Sequence, residues 1–327
     1  DKDGKIVAEN FNYAIGESAE PGSTMKTASL MVAMEDGYIE PGDTVDTEGG
    51  VTTFYNRKMK DSHEGGFGRI TIQHALELSS NVGISKVITK CYKGKEKDFV
   101  RGLYNLRLNV PLGLEISGEG IPKIKDPDDS TWSGVSLPWM SIGYEVHLSP
   151  MQILTFYNAI ANDGKMVKPH FVKEIRDKDK VLEERETEVL QPSICSKETL
   201  AKIRKMLEGV VLNGTASNIK NDKYSIAGKT GTCQINYWNK SEGLKYQASF
   251  VGYFPADKPK YSCIVVINSP SRGSYYGSVV SGTVFKEIAD NIFSTTLDIL
   301  PEIDEKYKTV AKQAPKSIDG FKDDMKK

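Results

Sequence analysis

The sequence predicts a mixed α/β domain of the α+β kind: a largely helical first part, then an antiparallel sheet closed by a helix. Three observations carry that prediction. Apolar residues recur at helical spacing in several segments between residues 24 and 212. From Tyr224 to Asn268 the pattern changes to three strand-like runs, the last with an apolar centre of Cys263, Ile264, Val265, Val266 and Ile267. The last two runs are joined by the turn Pro255-Ala256-Asp257-Lys258-Pro259, which makes them antiparallel. A final helical pattern, Val279 to Leu297, covers the sheet with Val280, Val284, Phe285, Ile288, Ile292 and Phe293.

The elements follow in order. Residues 1–19 contain the turn signal Asp3-Gly4 and no complete strand or helix. A helix from about Thr24 carries Leu30, Met31, Ala33 and Met34, and Gly37 is suited to its C′ position. Residues 38–69, rich in Gly, Asp and Thr, predict irregular loop with short strands. Thr71 to Leu78 is helical and runs into Ser79-Ser80-Asn81; a second helix follows with Val82, Ile84, Val87 and Ile88. The Ser-Ser-Asn group therefore stands at a helix–helix junction and can face a cleft. His74, on the apolar face, is expected to be packed rather than to bind a ligand.

Asp98 to Val110 is helical, and a Gly/Pro-rich loop follows to about Pro138. Ser149-Pro150 is an N-cap serine with proline at N1, and its helix stops at Asp163-Gly164. Phe171–Ile175 and Val181–Val189 predict a solvated, charged β-hairpin around Asp177-Lys178-Asp179-Lys180. Ser196 caps a helix from Lys197 to about Leu212, stopped by Asn213-Gly214. Tyr224 to Ile235 is a strand interrupted by small residues, and Gln247–Phe254 is a second strand. Residues 301–327 are a charged tail or linker.

The bulk numbers narrow the function classes. The chain has 327 residues, 39% hydrophobic and 27% charged, as in an ordinary globular protein. Its net charge of -1 gives no electrostatic case for nucleic acid. No apolar run approaches a membrane span and no signal-peptide pattern is present. Four cysteines (Cys91, Cys195, Cys233, Cys263) and four histidines form no zinc spacing. The cysteines are expected to be small buried or partly exposed thiols.

Three short stretches carry chemistry. In Glu20-Pro21-Gly22-Ser23-Thr24-Met25-Lys26, Ser23 and Lys26 stand three apart at a helix start and share a face. A serine hydroxyl is a poor nucleophile until a base takes its proton. A lysine can serve if burial or a nearby cation lowers its pKa. The bland alternative is an N-cap serine beside a solvated lysine. The second stretch is Ser79-Ser80-Asn81. The third is Lys229-Thr230-Gly231-Thr232: a glycine inside a strand marks a close approach to the backbone. The lysine and the two threonine hydroxyls suit a carboxylate. Its bland alternative is an edge strand with a surface lysine.

Ser-x-x-Lys, Ser-x-Asn and Lys-Thr-Gly in this order are the signature of penicillin-binding proteins and serine β-lactamases. Each falls in a fitting context: helix start, helix junction, sheet strand. The chain resembles the transpeptidase domain of class B penicillin-binding proteins, most closely the division-specific (septal) type, from about Tyr13 to Phe293. The matching segments include Val45-Asp46-Thr47, Ser141-Ile142-Gly143-Tyr144, Asn158 to Pro169, and Gly252-Tyr253-Phe254-Pro255-Ala256.

The resemblance implies an antiparallel sheet flanked by helices plus an all-helical lobe, with the cleft between them. It implies a transpeptidase domain over residues 1–300, with the helical lobe at roughly 27–165 and the sheet-containing part at roughly 1–26 and 166–300. It implies acyl transfer from a peptidoglycan stem peptide ending in D-Ala-D-Ala, with β-lactams as covalent inhibitors and with no metal or cofactor. Carried over by motif, Ser23 is the nucleophile and Lys26 its base. Ser79 relays a proton to the leaving D-Ala, and Asn81 orients Lys26 and the substrate amide. Lys229 keeps the site positive, while Thr230 and Thr232, flanking Gly231, hold the substrate carboxylate. The backbone N–H groups of Ser23 and Thr232 form the oxyanion hole.

The resemblance further implies a place at the extracytoplasmic face of the cytoplasmic membrane, in the periplasm, through an anchor absent from this chain. Partners would be a glycosyltransferase and other division proteins, reached through N-terminal regions also absent. Family members carry further strands and a helix before the nucleophile segment, so the sheet is expected to lack its N-terminal strands. Two rivals remain open at this point. A serine β-lactamase of class A has Asp in the middle of the second motif, where Ser80 stands here, and a deacylating glutamate on a loop, for which Glu115 and Glu119 are the loop glutamates. A β-lactam sensor or inactive division scaffold is the second.

Overall fold

A computed structural model of the chain describes residues 11–235, 244–271 and 273–295. The chain divides into a unit Asp1–Glu287 and a unit Ile288–Lys327. Of the second, the described residues are the final turns of the last helix. The expected tail at 301–327, the Asp3-Gly4 turn and the end of the last helix at Leu297 lie outside the described residues.

The first unit opens with α1 (Tyr13–Gly16), a short helix capped by Asn12, where no element was expected. A 3-10 turn (Gly22–Thr24) leads into α2 (Met25–Glu35). Every residue of α2 from Met25 to Met34 is buried, Lys26, Thr27 and Ser29 included, so it is a core helix rather than an amphipathic surface helix. Leu30, Met31 and Ala33 are fully enclosed; truncating such a leucine typically costs about 2–5 kcal/mol. Gly37 follows with φ 71°, as its C′ position requires.

Residues 38–71 supply β1 (Thr44–Asp46), β2 (Val51–Phe54), β3 (Arg57–Lys60) and β4 (Arg69–Thr71), paired β1 with β4 and β2 with β3. Then come α3 (Ile72–Glu77) and α4 (Asn81–Tyr92), with the Ser-Ser-Asn group at their junction as expected. The next helix, α5 (Glu96–Asn105), stops short of Val110 because Arg107 turns into the left-handed region at φ 58°. The following loop holds β5 (Lys123–Ile124), α6 (Ser136–Met140) and β6 (Val146–His147). Helix α7 (Pro150–Ala161) begins with a full capping box between Ser149 and Gln152.

Beyond it, β7 (Met166–Val167) pairs with β10 (Val189–Gln191), while β8 (Glu174–Asp177) and β9 (Lys180–Glu184) form the charged hairpin. Val189 thus leaves the hairpin to which its sequence assigned it and closes the base instead. Helix α8 (Lys197–Leu212) has the expected Ser196 cap.

The sheet is β11 (Ala227–Ile235), β12 (Lys245–Phe254) and β13 (Tyr261–Asn268), antiparallel and in that order. Strand β11 is continuous across Gly228 and Gly231, where an interruption was expected. Its free edge faces the 3-10 turn, and α9 (Gly277–Thr295) follows β13. Among the described residues the sheet has three strands, as expected, and the apolar run of β13 is half-buried on its outer edge. Phe250 packs edge-on against Phe285 of α9 at 4.7 Å. No helix among the described residues is long and apolar enough to cross a membrane.

Candidate active site

Ser23 sits in the 3-10 turn just ahead of α2, one step earlier than a first helical turn. That turn is held from several sides. Gly22 N–H donates to Gly143 O (3.1 Å), Thr24 Oγ1 to Pro21 O (2.9 Å), and the buried Tyr157 hydroxyl of α7 to Thr24 O (2.9 Å). Gly22 has φ 56°, and a Cβ there would lie 2.9 Å from Cys233 Cβ. The contact leaves no room for a side chain, and the backbone angle would add strain.

Ser79 also adopts the left-handed region, at φ 57°. This costs a non-glycine residue about 1 kcal/mol or more and is typical of sites where geometry overrides comfort. The effect is to turn both its carbonyl and its hydroxyl onto Lys26: Nζ donates to Ser79 O (2.5 Å) and to Oγ (3.1 Å). From the opposite wall, Lys229 Nζ donates to the same Oγ (2.9 Å) and to Thr230 O (3.1 Å). Lys26 and Lys229 both have 0% exposure. The surface-lysine alternative for Lys229 is thereby excluded: β11 is an edge strand, but its outer edge abuts the nucleophile turn.

Burial pushes Lys26 down to about 7, with the Asp61 carboxylate resisting. Burial is also the main cause that pushes Lys229 well below its ordinary value, and the Lys26 charge pushes it further. Both directions favour the neutral amines, whereas Lys229 is expected to keep the site positive.

Gly231 allows the close approach its sequence position predicted. A Cβ there would collide with Ser249 Oγ on β12 and stand 3.2 Å from Thr24 Cγ2. Thr230 Oγ1 and Thr215 Oγ1 are 2.8 Å apart, and Thr232 Oγ1 accepts from Gly277 N–H (3.0 Å). Ser23, Ser79, Asn81, Thr230 and Thr232 line one cleft of about 330 Å³, with the two lysines behind it. Of the eight predicted residues, the structure thus brings Ser23, Lys26, Ser79, Lys229, Gly231 and the two threonines together. Asn81 lines the cleft too, but its amide donates to Lys60 O (2.8 Å) instead of engaging Lys26.

Sequence reasoning missed two residues. Asp61, just past β3, accepts from Ser80 Oγ (2.9 and 3.1 Å) and from Val82 N–H (2.9 Å) at the start of α4. Thr215, three residues after α8, joins Thr230 as above and donates its N–H to Glu77 O (2.9 Å). Neither belongs to a motif; only their position beside one would have hinted at a role.

Other expectations resolve plainly. His74 is not packed among apolar groups: its side chain is 41% exposed and its Nδ1 lies 2.8 Å from the buried Glu77 carboxylate. No cluster of metal-binding side chains occurs among the described residues. Cys233 is buried and the other three cysteines are partly so. Glu119 is occupied by the backbone N–H groups of Leu112, Gly113 and Leu114, and neither it nor Glu115 lines the cleft. A deacylating glutamate of the β-lactamase kind therefore has no counterpart in these two residues.

A serine and two buried lysines around a second serine, beside a threonine-lined edge strand, define the serine acyl-enzyme class with the penicillin-binding fold. The chain belongs to the penicillin-binding protein transpeptidase domain family, whose description matches residues 1–290. It is 28% identical over 88% of its length to a probable peptidoglycan D,D-transpeptidase PenA of Neisseria flavescens, covering 66% of that protein. It is 27% identical over 89% of its length to the peptidoglycan D,D-transpeptidase FtsI of Escherichia coli K12, covering 46% of it. Among solved structures, the apo transpeptidase domain of Burkholderia pseudomallei penicillin-binding protein 3 matches with a TM-score of 0.75. That pair is 26% identical, with 90% of this chain and 84% of that one covered. The chain spans roughly half to two thirds of the length of these two curated relatives.

Proposed function

We propose that the chain is the D,D-transpeptidase domain of a class B penicillin-binding protein that cross-links peptidoglycan stem peptides during septal wall synthesis. The observation that carries this reading is the Ser79 hydroxyl held between two buried lysine amines, in the cleft that Ser23 lines. Lys26, in its neutral form, takes the Ser23 proton as Oγ bonds to the carbonyl carbon of the penultimate D-Ala. Thr230 and Thr232 receive the substrate's terminal carboxylate. Backbone N–H groups of Ser23 and Thr232 stabilise the oxyanion, a contact worth about 3–4 kcal/mol per donor. Collapse of the tetrahedral intermediate breaks the C–N bond. The Ser79 hydroxyl passes a proton to the departing D-Ala amine and is resupplied from Lys26. An amine of a second stem then attacks the ester and releases Ser23. Asn81, on the cleft wall, contacts the substrate amide.

On this reading residues up to about 300 form the transpeptidase domain, with a helical lobe and a sheet-containing part, and the remainder a charged tail. The protein works at the outer face of the cytoplasmic membrane, held there by a membrane anchor. It works beside a glycosyltransferase and other division proteins. Intact mass after adding a penicillin tests the chemistry. A stable adduct absent from Ser23→Ala, together with D-Ala release from a stem peptide, supports it. An adduct that clears within minutes points to a β-lactamase. A stable adduct without D-Ala release points to a sensor.

A further inference from the structure

We propose that Asp61, which lies outside all three motifs, is a positioning residue of this reaction: it fixes the start of α4 so that Ser79 faces both lysines, and it is the counter-charge to Lys26. The geometry comes first. One carboxylate oxygen accepts the Val82 N–H (2.9 Å), and both accept the Ser80 hydroxyl (2.9 and 3.1 Å). Ser80 in turn caps α4, accepting the Gly83 N–H at 2.8 Å. A carboxylate at a helix N-terminus meets unpaired backbone donors and the positive end of the helix dipole. Its own backbone is anchored too, because Asp61 N–H donates to Gly50 O (2.8 Å), and the neighbouring Lys60 O receives the Asn81 amide (2.8 Å). Lys60, the last residue of β3, and Asp61 just after it therefore hold Ser80, Asn81 and Val82, the three residues that follow Ser79.

The second part follows from charge. The charged or titratable groups around the first turn of α2 can be taken element by element. From β11 comes Lys229; from the segment after β3 comes Asp61. Glu77 ends α3, where Gln73 and His74 engage it. On α7, Tyr157 is tied to Thr24 and Thr27. Lys86 of α4 is turned to Glu48, and Glu35 binds Ser196 at the far end of α2. Among these groups the Asp61 carboxylate opposes the fall that burial imposes on Lys26. Without it the amine would be a weaker base. With it, Lys26 titrates near neutrality, where a general base combines availability with strength.

This inference rests on Lys26 being the base for Ser23. The test is the rate of penicillin acylation against pH for the intact chain and three variants. The wild-type limb should lie near 7; its absence there would defeat the Lys26 reading itself rather than the role of Asp61. In Asp61→Asn the limb should move down by about half a pH unit or more, with the plateau rate severalfold lower. A limb that stays in place or moves up overturns the counter-charge, even if the rate falls at every pH. Asp61→Glu keeps the charge and should hold the limb within a few tenths of a unit of wild type. Equal shifts in the Glu and Asn variants overturn the proposal. Should Asp61→Asn fail to fold, Ser80→Ala decides: it removes the hydroxyl donor but leaves the carboxylate, so its limb must not fall, and a fall counts against the proposal.

Discussion

Lys26 and Lys229 reach the same atom, the Ser79 hydroxyl oxygen, at 3.1 and 2.9 Å from opposite walls of the cleft. Two ammonium groups this close, both fully enclosed, repel each other and lack the water that would offset the repulsion. The site therefore works with at least one amine neutral, which is the condition for using an amine as a base.

The pH dependence of acylation follows. Burial lowers Lys26 to about 7, so its neutral fraction grows as pH rises through that value. The acylation rate should climb between about pH 6 and 8 and then level off. Stopped-flow measurement with a chromogenic cephalosporin checks this. A rise that begins only near the ~10.4 of a free lysine would remove Lys26 from its role.

The same burial affects stability. The folded-state pKa of Lys26 lies below its unfolded value, so the unfolded chain binds more protons between the two. Lys26 therefore penalises the fold at neutral pH, and the penalty shrinks as pH rises from about 7 towards 10.5. Lys26→Met should abolish acylation yet melt a few degrees higher at pH 7, as is common when a strained catalytic group is removed. Melting curves at pH 7 and 9.5 should show the gap narrowing; a gap that widens would contradict the sign.

Gly231→Ala should be harmful in a specific way. The added methyl meets Ser249 Oγ, and this should cost about 1–3 kcal/mol while slowing acylation. Ser249→Ala in the same chain removes the obstructing atom and should restore part of both. Additive effects in this double-mutant cycle would mean that the glycine is needed for another reason.

Thr215→Val removes one partner of the 2.8 Å contact with Thr230 and leaves the chain path intact. A neutral hydrogen bond is worth about 0.5–1.5 kcal/mol, so acylation should slow about 2- to 10-fold. Thr215→Ser should recover most of it. An unchanged rate in the valine variant would show that Thr230 needs no support from this side.

Much of this site was legible because its residues come in compact motifs with local structural cues. Ser149-Pro150 and Ser196 cap their helices as such residues should, and Gly231 marked a real collision. The burial of Lys229 was hidden. Its strand is at the edge of the sheet, and the nucleophile turn, some two hundred residues earlier, packs against it. Asp61 and Thr215 were missed for a related reason. Each acts across a long stretch of sequence through contacts that no periodicity encodes. Val189 was misassigned because an apolar residue after a hairpin fits either strand.

The chain of contacts through Thr215 closes on itself. From Ser79 it passes to Lys229, to Thr230, across to Thr215, and through the Thr215 N–H to Glu77 O, two residues before Ser79. A closed circuit of this kind behaves as a latch rather than a row of independent struts. The α3–α4 corner, the residues after α8 and the edge strand must shift in concert or remain in place. Paired substitutions around the circuit should therefore depart from additivity, because loosening one link loosens its neighbours. Gradual drift in substrate preference is left to the outer rim of the cleft, where Tyr275 and Tyr276 stand outside the loop.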